Sequence, residues 1–164
     1  MIGRAVAFVI IVAALQFGWH RLEGSPIQHL TIDQGIVAPA AGLARLLTPQ
    51  LPVYARGNQL LEPAGGLNII NGCDGMETLF LLAAGLLVAP LPGRARLVGI
   101  LAAIPVVYAL NLARILALFY AHRRDRGLFD LLHGIVTPAV MVGGAVAFLY
   151  LWLRLHPAGE QPAP

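Results

Sequence analysis

The chain has no lysine, a single cysteine and little charge, and each shortage removes some chemistry. All 11 of its basic residues are arginine. Without lysine there is no Ser-Lys dyad, no Schiff base and no P-loop lysine. One cysteine, Cys73, allows neither an internal disulfide nor a cysteine metal cluster. Charged residues make up 12% of the 164 positions, about half of the roughly 25% with which a soluble domain wets its surface. Hydrophobic residues supply 58% and the mean hydropathy is +0.75. Such a chain cannot cover a water-exposed surface, so the composition implies an integral membrane protein. Disorder is excluded by the same figures, and the glycines and prolines follow no repeat period. The arginines are mostly single, so the pI of 9.6 does not amount to the basic stripe of a nucleic-acid protein.

What is present is a series of apolar runs. A bilayer core is ~30 Å thick and takes about 20 apolar residues as helix. The runs predict an all-α membrane protein with about four spans, over residues 5–19, 74–91, 97–121 and 134–155. Arg4 precedes the first, and no small-x-small cleavage site lies before Trp19, so an uncleaved anchor is expected. Pro90-Leu91-Pro92-Gly93 breaks the chain after the second. Tyr150 and Trp152 anchor one end of the fourth at the interface. The extracytoplasmic segment 20–72 contains Ile36–Leu47, too short to cross, which predicts an amphipathic helix on the membrane surface or over the site. The region of Pro49, Pro52, Pro63, Gly65 and Gly66 is expected to be loop. Arg4, Arg94, Arg96 and Arg154 fall on one side, predicting cytoplasmic N- and C-termini in the cell inner (plasma) membrane. The opposing run His122-Arg123-Arg124-Asp125-Arg126 breaks that rule locally.

Topology then gathers three reactive side chains. Cys73 precedes the second span, Arg114 lies in the latter half of the third, and His133 precedes the fourth. Alternating helix direction brings all three to the face opposite both termini. The neighbours of Cys73 are Asn71, Gly72, Asp74 and Gly75, polar and flexible rather than core-like, and a thiol at a helix N-terminus gains thiolate character. A cation inside a membrane helix costs at least ~2.5 kcal/mol, so Arg114 is expected to face the bundle and be paired. Asn111, three residues earlier on the same helix face, is a candidate to orient its guanidinium. Glu77, one turn after Cys73, is the candidate buried counter-ion. His122 competes with His133 from the other end of the loop; His20, His29 and His156 are isolated. Cysteine, histidine and arginine can act as nucleophile, general acid/base and oxyanion stabiliser. No HExxH or GxSxG motif occurs, and neither metal nor cofactor is implied.

Asn71-Gly72-Cys73-Asp74-Gly75-Met76-Glu77 opening one span, Asn111-Leu112-Ala113-Arg114-Ile115 inside the next and His133-Gly134 opening the last together resemble the exosortase/archaeosortase family. The short length and the Asn-Gly-Cys-x-Gly form look most like exosortase H. The resemblance implies a membrane-embedded cysteine protease or transpeptidase with Cys73, Arg114 and His133 as its catalytic set on the extracytoplasmic side. It implies, as partners, membrane proteins bearing a C-terminal sorting signal, made of a short motif, a transmembrane helix and a basic cluster. Asp74 departs from the small or amide residue often found after the cysteine, and a carboxylate there raises the thiol pKa.

Two other readings remain open from the residues alone. One is a small non-enzymatic assembly or transport subunit in which Cys73 only packs. The other is an intramembrane aspartyl peptidase using Asp74 and Asp130, which would need the two carboxylates to share a site. A substrate helix is expected to pack on small residues such as Gly143, Gly144 and Ala145. A homo-oligomer could complete the wall that longer relatives build from extra spans.

Overall fold

Glycine, proline and capping residues cut the apolar chain into the elements of the computed structural model, which describes residues 2–70 and 72–157. Helix α1 (Ile2–Arg21) is apolar along its length and buries none of its residues inside the protein, as a span surrounded mainly by lipid would. The chain reverses at Gly24, whose φ of +74° suits glycine. Ser25 caps the short α2 (Pro26–His29), its hydroxyl accepting from the Gln28 N–H at 3.3 Å, with Pro26 in the first turn. A π-helical stretch, Leu30–Val37, leads into α3 (Ala38–Leu47). The Thr48 hydroxyl donates to the Ala44 carbonyl at 2.8 Å, and helix α3 stops there, ahead of Pro49. The amphipathic helix expected over Ile36–Leu47 is thus α3 with the end of the π stretch, and its buried face is Ala40, Ala41 and Ala44.

The stretch expected to be loop holds three strands instead. β1 (Tyr54–Arg56), β2 (Gln59–Glu62) and β3 (Gly65–Asn68) form an antiparallel meander in the order β1-β2-β3. Two-residue turns, Gly57-Asn58 and Pro63-Ala64, join them. Pro63 therefore sits in a turn and Gly65 and Gly66 form half of a strand. Leu60, fully buried, pins the sheet to Val37, Val53 and Phe119. Glu62, itself buried, pairs with Arg123 in the last turn of the helix Gly93–Arg124. That pair accounts for one of the basic residues on the side where the charge rule is broken.

Helix α4 (Met76–Val88) has 13 residues, or about 20 Å of rise, less than the ~30 Å of a bilayer core. Helix α5 (Gly93–Arg124) has 32, or about 48 Å. From Arg126 the chain is helical again for 30 residues to Leu155, as α6 (Arg126–Leu131), a π-helical stretch Leu132–Val136 and α7 (Thr137–Leu155). Among the described residues three helices are thus long and apolar enough to cross a membrane, and with α4 they make an all-α integral membrane protein carrying one small sheet. The expected second span, 74–91, is helical only over Met76–Val88; at its far end Arg96 donates to the carbonyls of Ala89 and Leu91 at 3.3 and 3.2 Å.

Small residues let α4, α5 and α7 close around Leu82, Ala103, Val107 and Met141. A Cβ on Gly99 would stand 2.6 Å from Trp152, and one on Gly144 would stand 2.7 Å from Leu110. Gly144 and the buried Ala145 are therefore spent on packing within the protein, which corrects the expectation that they form an outer docking face. Gly143 alone of that trio faces open space.

Candidate active site

The turn that carries Cys73 is held on three sides. Gly72 and Gly75 adopt φ of +87° and +81°, the left-handed region where a side chain is strained. Gly75 also lies so close to α5 that a Cβ would stand 3.0 Å from Asn111. Between them, Asp74 is buried and uses both carboxylate oxygens. Oδ1 accepts from the Met76 N–H at 3.1 Å, at the start of α4, and Oδ2 accepts from Trp19 Nε1 at 2.8 Å. Trp19, at the end of the first apolar run, ties α1 to the cysteine turn. The Cys73 N–H closes the turn onto the Ile70 carbonyl at 2.9 Å.

Arg114 reaches this turn from within α5. Its Nη1 donates to the Gly72 carbonyl at 3.2 Å and its Nη2 lies 3.8 Å from Cys73 Sγ. Its Nε is buried and has no hydrogen-bond partner among the described residues. A cation placed ~15 Å from the end of its helix is thus aimed at a thiol and a carbonyl. The thiol is half-buried, and burial pushes its pKa up. Arg114 pulls it down, and the carboxylates of Asp74 and Glu77 push it up again, leaving it above the usual thiol value.

His133 approaches from the π-helical stretch, a widened helix type often found at functional sites. Its ring stacks on Phe129, with centroids 5.4 Å apart and planes 7° from parallel. His133, Phe129 and Cys73 line one cavity of about 40 Å³, with Asn68 and Ile69 at the sheet and Ile115 on α5. His122 meets the Phe129 ring edge-on at 5.3 Å and does not line that cavity. The residues brought together are therefore Cys73, Arg114 and His133.

The supporting set fares differently. Glu77 is exposed, lining a separate cleft with Gln16 and His20, and makes no ion pair with Arg114; it is not a buried counter-ion. Asn111 is 2% exposed, and neither its Oδ1 nor its Nδ2 has a partner among the described residues. It packs under Gly75 and does not orient the guanidinium. Asn71 lies outside the described residues. As for an aspartyl dyad, Asp74 has both oxygens engaged by Trp19 and Met76, whereas Asp130 is exposed on α6.

Sequence reasoning missed Trp19, Phe129 and β3. A tryptophan near a helix end has the pattern of a lipid anchor, and nothing local marks Asp74, 55 positions on, as its acceptor. The β1–β2 hairpin carries a weak signal, since Gly57-Asn58 is a hairpin turn type, but that turn does not mark β3.

Comparison with known proteins adds one finding. No curated protein and no solved structure matches the chain. The family model described as transmembrane exosortase (Exosortase_EpsH) matches residues 1–153. With nearly its whole length covered, the chain belongs to the transmembrane exosortase family.

Proposed function

We propose that this protein is a membrane-embedded cysteine peptidase or transpeptidase that removes C-terminal sorting signals from membrane proteins through a Cys73 thioester. Arg114 carries the reading. A membrane-helix arginine is costly, and this one is directed at the one thiol and its neighbouring carbonyl rather than at a carboxylate. A purely structural arginine would be expected to carry an acidic partner.

The chemistry follows from the state of the thiol. With its pKa above the usual value, Cys73 is mostly protonated at neutral pH and needs a base when substrate arrives. His133, across the small cavity, takes the proton as Sγ bonds to the substrate carbonyl carbon. The carbonyl π electrons move to oxygen, and Arg114 stabilises that oxyanion beside the sulfur. Collapse breaks the C–N bond, and His133 returns the proton to the departing amine, leaving a thioester. Water resolves it to a carboxylate, with His133 again as base; another nucleophile resolves it to a transpeptidation product.

The same reading sets the termini in the cytoplasm, where Arg4, Arg94, Arg96 and Arg154 favour them, and the cysteine on the extracytoplasmic side of the cell membrane. Substrates on this account bear a short motif, a transmembrane helix and a basic cluster. The test is processing in cells of tagged membrane proteins from the same organism with such C-termini, at matched enzyme levels. Wild type should shorten a substrate that Cys73→Ala, Arg114→Ala and His133→Ala leave intact. Undiminished shortening by Cys73→Ala would refute the thiol mechanism.

A further inference from the structure

The substrate's backbone has a built partner. Inter-strand hydrogen bonds alternate along an antiparallel strand, so each residue's N–H and C=O point either to its neighbour or to the opposite edge. The Ile69 N–H donates to the Asn58 carbonyl at 2.8 Å, in register with the β2–β3 pairs Gln59↔Asn68 and Leu60↔Leu67. Ile69, Leu67 and Gly65 therefore turn their backbone groups inward to β2. Gly66 and Asn68 turn theirs outward, and neither makes a backbone hydrogen bond on that side among the described residues.

That open edge is where the chemistry lies. The opposite edge strand, β1, packs under α3 and the Leu30–Val37 stretch, whereas β3, apart from its pairing with β2, packs mainly on α5. Asn68 lines the same cavity as Cys73 and His133. Its side chain is held by Gln59, whose Nε2 donates to Oδ1 at 2.7 Å, so its backbone is left as the recognition element. The edge also has none of the usual protection: Gly-Gly-Leu-Asn contains no charge and no proline. Covered edges resist pairing, and an uncovered one beside a reactive thiol invites it.

We infer that β3 binds the substrate as an added antiparallel or parallel strand. The occupant is the extended peptide stretch containing the scissile bond, and the outward N–H and C=O of Asn68 and Gly66 hold its backbone in line with Cys73 Sγ. Strand addition draws affinity from main-chain bonds and leaves specificity to alternate side chains. It rests on the cysteine-peptidase reading and names how that site holds a peptide.

The probes are mixed-sequence acetyl-hexapeptidyl chloromethyl ketones, with each backbone nitrogen methylated in turn, and the readout is the rate of Cys73 capture in the full-length protein in nanodiscs. Methylation should slow capture about tenfold at alternate positions, the size of one lost hydrogen bond, with little change between them. Asn68→Pro removes one outward N–H and leaves the inner ladder intact; it should slow peptide capture by about tenfold while iodoacetamide still reacts at the wild-type rate. Asn68→Ala, which keeps the N–H but loses the Gln59 contact, should slow capture less than Asn68→Pro. Slowing that is equal at every methylated position, or peptides that react no faster than chloroacetone, would overturn strand addition. If Asn68→Pro does not fold, the methylation series on wild type decides alone. Flat methylation with Cys73-dependent processing intact removes strand addition only, whereas processing by Cys73→Ala removes the peptidase reading itself.

Discussion

Replacing Gly75 by alanine should damage the protein far more than one methyl group suggests. The residue sits at φ +81°, and a non-glycine residue there costs about 1–2 kcal/mol. The new Cβ would also stand 3.0 Å from Asn111 Cβ and Cγ, inside ordinary contact, and overpacking of that kind adds about 1–3 kcal/mol. Together the change should destabilise by about 2–5 kcal/mol. At 2–4 °C per kcal/mol for chains of this size, that is roughly a 10 °C loss of melting temperature, measured by thermal unfolding in detergent. Gly18→Ala is the control, since nothing lies within 4 Å of a Cβ there and the residue is helical, in the last turn of α1; it should melt no lower than wild type. Adding Asn111→Ala to Gly75→Ala should return the share of the contact due to Cγ and Nδ2, while the contact with Cβ and the backbone part remain. A Gly75→Ala protein melting with wild type would refute the claim that this turn is held against α5.

Three further outcomes follow from the same geometry. Because burial and two carboxylates hold the Cys73 thiol above the usual value, its alkylation by iodoacetamide should lag a free thiol at neutral pH and catch up only as pH rises. Arg114→Ala should move that rise to higher pH and Asp74→Asn to lower pH; an unmoved profile in both would contradict the electrostatics. Arg123→Ala should cost about 3 kcal/mol by stranding the buried Glu62 carboxylate, whereas Glu62→Ala should cost only about 1, since Arg123 is partly exposed and can turn to water; equal melting of the two would count against the asymmetry. His122→Ala should retain processing within about threefold while His133→Ala loses at least about a hundredfold, the lower end expected for removing a general acid/base.

The long helices were legible because a bilayer imposes a length and an apolarity that no other context requires. The convergence of Cys73, Arg114 and His133 was legible for a related reason, since alternating helix direction alone decides which ends meet. Side-chain partners were not legible in the same way. Glu77 stands one turn from Cys73 and so looked like a counter-ion, but its position on α4 turns it toward the cleft with Gln16 and His20. Asp74, adjacent to the cysteine, takes the structural role instead through Trp19. Asn111 lies one turn from Arg114 yet is committed to the floor beneath Gly75. The sheet escaped notice because its turns and its flanks carry the prolines, and because strands of three and four residues leave too short an alternation to stand out. Long-range contact decided each case, and neighbours in sequence were poor guides to it.

The central claim is that Cys73 becomes acylated, and the most direct measurement is mass spectrometry of the enzyme during turnover. Full-length protein would be mixed with a sorting-signal substrate, quenched in acid and digested. The peptide containing Cys73 should carry a substrate-derived acyl group, lost on treatment with hydroxylamine and absent from Cys73→Ala. Shortened substrate with no such adduct, and equal shortening by Cys73→Ala, would contradict it.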